Sequence, residues 1–176
     1  MIFLKFKIMK KLEYKIIDNF LEKEVFLNLK KDVENLEFPW RRRINCTPNS
    51  KIDKGYFTHS IFNDFKINSP MYQNTLIPIL NKLKAKSLVE ARLNMFLTEF
   101  LFQKYTTYHK DYPYDCNTAI LNLTDCDGGT QLKIKDKEIE IKSKENRIVI
   151  FNSLISHRTI KPSNSDIRYI LNLNYF

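Results

Sequence analysis

The sequence has little cysteine, little glycine and no long apolar run, and each shortage excludes something. The three cysteines, Cys46, Cys116 and Cys126, are an odd number at no metal-knuckle spacing. They argue against a disulfide framework and read as free thiols in a reducing compartment. No apolar stretch approaches the length of a bilayer span. The opening Met1 to Lys7 is too short, and too interrupted by lysine, for a signal peptide. The expectation is a soluble, cytoplasmic protein. Repeats, low-complexity segments and linkers are missing as well. With 43% hydrophobic and 13% aromatic residues, disorder is not expected. A chain of 176 residues suits one domain, residues 1–176, with a core that needs no staples.

Negative charge is also in deficit. Against 29 Lys and Arg stand 20 Asp and Glu, a net +9. That permits non-specific attraction to nucleic acid or another polyanion. Most lysines are scattered among apolar residues and mark a solvated surface. The one compact run, Arg41-Arg42-Arg43, follows Phe38-Pro39-Trp40. It is either a surface loop or a contact for substrate or anion.

What is present divides into helices first and short strands later. Tyr14 to Ile17 reads as a strand. Asp18 or Asn19 is expected to cap a helix within Glu22 to Leu36, where Val25, Leu29, Val33 and Leu36 recur at helical spacing. Phe38-Pro39-Trp40 stops it. Tyr56 to Phe62 is aromatic and β-branched, a strand with Phe57, His59 and Ile61 on one face. Ser69-Pro70 starts a second helical segment, and Pro78 predicts a turn followed by a shorter helix. Leu88 to Phe96 alternates. Val89, Ala91, Leu93 and Met95 take one face, and Glu90, Arg92 and Asn94 the other, which either lines a ligand cavity or meets water.

Four more strands are expected from Thr118 to Leu123, Gly129 to Lys135, Glu138 to Lys142 and Arg147 to Phe151, and a last from Arg168 to Tyr175. Asn146 tolerates the left-handed region in the turn before Arg147. Two of only three glycines, Gly128 and Gly129, are adjacent. They demand a tight turn with φ > 0 or a close approach of backbones. The order predicts an all-β core with the helices packed outside it.

Histidine occurs three times. His109 and Asp111 are two apart in Tyr108-His109-Lys110-Asp111, so an extended backbone presents both on one face. His157 completes a facial set if a neighbouring strand brings it across. Two imidazoles and one carboxylate leave three metal positions open, the donor set of non-haem Fe(II) oxygenases. Arg168, eleven residues further on, offers a fork that holds a carboxylate bidentately. His59 has no acid at ligand spacing and reads as a core or interface histidine. Zinc held by Cys116 and Cys126 is disfavoured by their spacing.

The ordered set of His109-Lys110-Asp111, the Thr118 strand, Gly128-Gly129-Thr130, the Arg147 strand, His157 with Pro162 beyond it, and Arg168 resembles the iron(II)/2-oxoglutarate-dependent dioxygenases, in particular their prolyl-hydroxylase-like branch. The likeness covers about residues 88 to 176. Ile17-Asp18-Asn19-Phe20 and Phe38-Pro39-Trp40 are similar to the openings of small phage-encoded members. The resemblance implies a double-stranded β-helix, a cupin-like jelly roll, over about 88–176, with a helical part over about 1–87 packed outside. It implies Fe(II) on His109, Asp111 and His157, O2 as oxidant, and 2-oxoglutarate with its distal carboxylate on Arg168. Asn94 and Tyr105, which precede the metal-binding stretch, are candidates for further co-substrate contacts. Where the family commonly has glycine before the Arg147 strand, this chain has Asn146. The implied reaction is hydroxylation of a peptidyl proline, another side chain or a small molecule, with release of succinate and CO2. Oxidative demethylation of nucleic acid, and a jelly-roll binding module without catalysis, are the alternatives.

Overall fold

In the computed structural model the described residues are 14–44, 56–98 and 104–176. The expectations for Met1 to Lys7 and for Cys46 fall outside them. Eleven strands are described: β1 (Tyr14–Ile17), β2 (Arg41–Arg43), β3 (Tyr56–Asn63), β4 (Lys66–Ile67), β5 (Leu88–Leu97), β6 (Asn117–Asn122), β7 (Gly129–Ile134), β8 (Lys137–Lys142), β9 (Arg147–Asn152), β10 (Ser156–Ile160) and β11 (Ile167–Tyr175). Eight form a major antiparallel sheet in the order β1-β9-β6-β11-β5-β3-β2, with β4 paired to β3. Three form a minor sheet, β10-β7-β8. The segment before β6 adds a fourth line to the minor sheet through two bridges to β10, Tyr105 opposite Ile160 and His109 opposite His157.

The two sheets face each other across an apolar layer of Phe96, Ile120, Val149, Phe151 and Ile170 from the major sheet and Leu132, Ile134 and Ile141 from the minor. This is the jelly-roll arrangement. Alternation decides which residues face which layer. On β11, Leu171 and Leu173 leave the sheet pair and meet the helices, while Arg168, Ile170, Asn172 and Asn174 turn inward. The first half of the chain is more than a helical cover, because β1 extends the major sheet at one edge and β2 to β4 extend it at the other.

Helix α1 (Lys23–Glu34) buries Phe26, Leu29 and Val33, one stripe at i, i+3 and i+7. Val25 and Leu36, expected in that stripe, are exposed at 39% and 98%. The helix ends before Leu36, and the larger Phe26 takes the inward position. No side chain caps the helix. Asp18 is engaged instead by Arg147, with Nε at 2.6 Å and Nη2 at 3.0 Å, and by Lys144. These cations hold its carboxyl well below the usual carboxylate range. Asn146 does adopt the left-handed region, at φ 58°. Its amide then clamps the chain entering α1, accepting from Leu21 N and donating to Leu21 O, both at 2.8 Å. A glycine there would allow the turn but lose the clamp. Pro78 lies in the first turn of α2 (Ile77–Leu83), directly after a π-helical turn, Tyr72–Leu76.

Neither Gly128 nor Gly129 has a positive φ. The reason for both is close approach. A Cβ on Gly129 would stand 2.3 Å from Ile141 O, and one on Gly128 2.8 Å from Ile160 O, both backbone atoms. Gly129→Ala is expected to destabilise the protein by about 1–3 kcal/mol, the scale of a forced backbone shift. Thermal unfolding measures it, and an unchanged midpoint would mean that β7 and β8 have room to part.

Candidate metal centre

Among the described residues, one set of His, Cys, Asp or Glu groups is placed to hold a metal ion: His109, Asp111 and His157, whose ligand atoms all lie within 4.8 Å of one another. The two histidines reach each other through a pair of backbone hydrogen bonds, His109 N to His157 O at 2.9 Å and the reverse at 2.8 Å. That pairing sets their rings 4.5 Å apart. Phe151 packs edge-on against His157 at 4.8 Å and restricts its ring.

The tautomers follow from the partners. His109 Nδ1 faces Thr107 O at 3.2 Å, and His157 Nδ1 faces Ile155 O at 3.1 Å. A carbonyl oxygen only accepts, so each Nδ1 carries the proton and donates it. Each Nε2 then keeps its lone pair. Both lone-pair nitrogens approach the same oxygen, Asp111 Oδ1, at 3.7 and 3.5 Å. The other oxygen, Oδ2, accepts from Asn174 Nδ2 at 2.9 Å and Thr118 Oγ1 at 3.1 Å. One oxygen is thus spent on orientation and the other is left toward the imidazoles, as ligand-orienting shells usually arrange it.

Burial pushes the His109 imidazole down to about 4, and the neighbouring His157 adds to the effect. Burial works to raise the Asp111 carboxyl, while the Arg92 cation and the hydrogen bond from Asn174 lower it. Between about pH 4 and 6.5, therefore, the unfolded chain carries more protons at position 109 than the folded one. Stability of the metal-free protein rises with pH across that window, and this contribution is flat above it. Asp111 acts below the window, since its ordinary value is 3.8. The expected outcome is a denaturation midpoint that falls as pH drops from about 7 to about 4, with a shallower slope in His109→Gln. Equal slopes would show that His109 titrates alike in both states.

The cavity beside the triad runs between the sheets. Its lining includes His109, His157, Arg92, Asn94, Thr130 and Asn172. On the polar face of β5, Arg92 and Asn94 thus line a cavity, while Glu90 is held by Arg92 and Tyr112. Asn94 is buried there and accepts from Thr58 Oγ1 at 3.1 Å. Arg168 is fully buried, with Nη2 donating to Asn122 Oδ1 at 2.8 Å and Thr130 Oγ1 at 3.4 Å. Its Nε and Nη1 are buried without a partner. Burial lowers this guanidinium to about 10.

Tyr105 is not brought to the cavity. Its hydroxyl donates to Glu140 at 3.0 Å, and its ring and that of Tyr108 stack on the Arg158 guanidinium, at 4.2 and 4.3 Å. Tyr105 pairs with Ile160 in the bridge to β10, which directs its side chain to the sheet's outer contacts. His59 also stands apart, with Nε2 2.8 Å from Ser69 Oγ. Arg41 to Arg43 form the exposed edge strand β2 rather than a loop. The sequence reading missed Thr118, Asn122 and Thr130, and gave Asn174 no role. Their signal was an isolated polar residue on the same strand face as buried apolar ones, Thr118 and Asn122 with Ile120, Thr130 with Leu132, and Asn174 with Ile170.

No family model matches the sequence, and no curated protein does. Solved structures do. An oxidoreductase of the 2OG-Fe(II) oxygenase family from Burkholderia pseudomallei superposes with a TM-score of 0.74 over 94% of this chain and 85% of that one, at 10% identity. A prolyl hydroxylase from Trichoplax adhaerens, in complex with a hypoxia inducible factor peptide fragment, gives 0.67 over 93% and 83%, at 18% identity. A Pseudomonas putida prolyl-4-hydroxylase gives 0.64 over 93% and 92%, at 12% identity. The chain has the fold of the 2OG-Fe(II) oxygenases, and its His-Asp-His set lies beside the cavity between its two sheets.

Proposed function

We propose that the protein, as one domain over residues 1–176, is an Fe(II)- and 2-oxoglutarate-dependent dioxygenase that hydroxylates a protein side chain or a small molecule. The observation that carries the reading is the His109-Asp111-His157 set beside a cavity whose lining residue Thr130 accepts from a buried Arg168, a guanidinium with two nitrogens, Nε and Nη1, still unpartnered. The donor set fits iron. Two neutral imidazoles and one carboxylate bind a divalent ion on one face and leave the opposite positions open. The Arg168 end fits a carboxylate, because a buried guanidinium with free donors calls for an anion. Bound there, Fe(II) with 2-oxoglutarate and O2 supplies oxidation of a C–H bond with release of succinate and CO2.

The chain's own work is positional. Asn174 and Thr118 hold Asp111 so that Oδ1 faces the metal position. The Nδ1 protons of His109 and His157 stay on backbone carbonyls, which keeps both Nε2 atoms available. Arg168 with Asn122 and Thr130 fixes the co-substrate's far end, and Phe96, Ile120 and Ile170 keep water from it. Asn94 is a candidate for a further contact. Among the described residues no helix is long and apolar enough to cross a membrane.

The test is anaerobic addition of 2-oxoglutarate to the Fe(II)-loaded protein. A visible charge-transfer band that needs both components, followed by succinate release in air, is the expected result. A protein that binds neither would stand as a jelly-roll binding module. A second reading, demethylation of nucleic acid, draws on Arg41 and Arg43. They pair with Thr58 and Tyr56, and Tyr56 lines the cavity, so these exposed cations lie on the cavity side of the major sheet. Turnover of methylated oligonucleotide, with none on peptides, would favour it.

A further inference from the structure

The cavity has a further polar feature besides the metal-set histidines and Thr130, the lining residue that bonds Arg168. Arg92 on β5 and Asn172 on β11 are direct cross-strand partners, and both line the cavity with His109 and His157. Each presents a buried atom without a partner: Nε of Arg92, a donor, and Oδ1 of Asn172, an acceptor. Asn172 is 5% exposed. Such atoms cost free energy unless something bonds them. They lie four residues along β11 from Arg168, and two from Asn174, which orients the metal ligand Asp111. They therefore belong to the metal's end of the cavity, away from the co-substrate anchor.

Charge narrows the partner. Glu90 already neutralises Arg92, with both carboxylate oxygens 2.9 Å from Nη1, and Tyr112 donates to Glu90 at 3.3 Å. The subsite offers one donor and one acceptor without an uncompensated cation, so a carboxylate or phosphate is not what it lacks. A neutral group with an acceptor and an N–H on the same edge is. A primary carboxamide has that edge. A trans peptide bond turns its C=O and N–H to opposite sides.

Resting on the dioxygenase reading, we propose that Arg92 and Asn172 form a specificity subsite that receives a primary carboxamide of the substrate, its C=O on Arg92 Nε–H and its N–H on Asn172 Oδ1. The group thereby holds the substrate near the metal while Glu90 keeps the arginine side chain in place.

The test uses the full chain with Zn(II) in place of Fe(II) and 2-oxoglutarate bound, and reads the Arg92 Nε–H resonance by 1H–15N NMR, identified by its loss in Arg92→Lys. Acetamide is expected to shift it saturably. N-methylacetamide, acetate and cytidine at the same concentration are expected to leave it in place. Asn172→Leu, in protein shown by titration to be loaded with Zn(II) and 2-oxoglutarate, should weaken the acetamide response about tenfold, one bidentate partner lost. A response to acetate overturns the charge argument, and one to cytidine replaces the carboxamide with a nucleobase edge. If Asn172→Leu does not fold, the wild-type ligand ranking still decides. An absent acetamide shift in protein that binds metal and 2-oxoglutarate sinks this inference alone. Failure to bind those two sinks the dioxygenase reading itself.

Discussion

His157→Ala is expected to abolish Fe(II) binding, or to reduce it by more than about a hundredfold. Loss of a group that merely orients a ligand costs about 10–100-fold in metal affinity, and His157 is one of only three proposed ligands. It is 3% exposed, and its ring is held by Phe151 on one side and by the Ile155 carbonyl at Nδ1. No other histidine is near enough to substitute, since His59 is committed to Ser69 and Phe38. The measurement is iron titration under anaerobic conditions, with circular dichroism to show that the variant folds. His59→Ala is the control, with wild-type iron affinity expected. Retention of iron by His157→Ala would remove His157 from the site and leave only the pair His109 and Asp111.

Arg168→Ala is expected to weaken 2-oxoglutarate by about 2–5 kcal/mol, the cost of truncating one member of a buried charge pair. That is roughly thirty- to several thousandfold in dissociation constant. Iron affinity should persist, because Arg168 is no ligand. Arg168→Lys keeps a charge but cannot reproduce the fork, so an intermediate loss is expected. The side chain is fully enclosed, and its Nη2 is already used by Asn122 and Thr130. Nε and Nη1 remain for the incoming carboxylate. Titrating 2-oxoglutarate into Fe(II)-loaded Arg168→Ala decides the matter. Wild-type affinity would detach the co-substrate from this arginine.

Much of the candidate site was legible because its residues are local or ordered. His109 and Asp111 sit two apart, which by itself places them on one side of an extended backbone. The alternation of β5 and β11 separates an apolar face from one carrying Arg92 and Asn94 or Arg168 and Asn172. The left-handed turn at Asn146 was likewise readable from residue type.

What the sequence determined alone was this set of periodicities and the chemical types of the donors. Pairing across the sheets decided the rest. It placed His157 opposite His109, gave Thr118 and Asn174 the second oxygen of Asp111, and turned Tyr105 outward onto Glu140 and Arg158. It also gave the glycine pair its reason, a carbonyl of another strand too close for any Cβ, where residue type suggested a turn equally well. The physical cause is common to all of these. A strand's own pattern states which side a residue takes, but the neighbour it meets there is set by register between segments tens of residues apart.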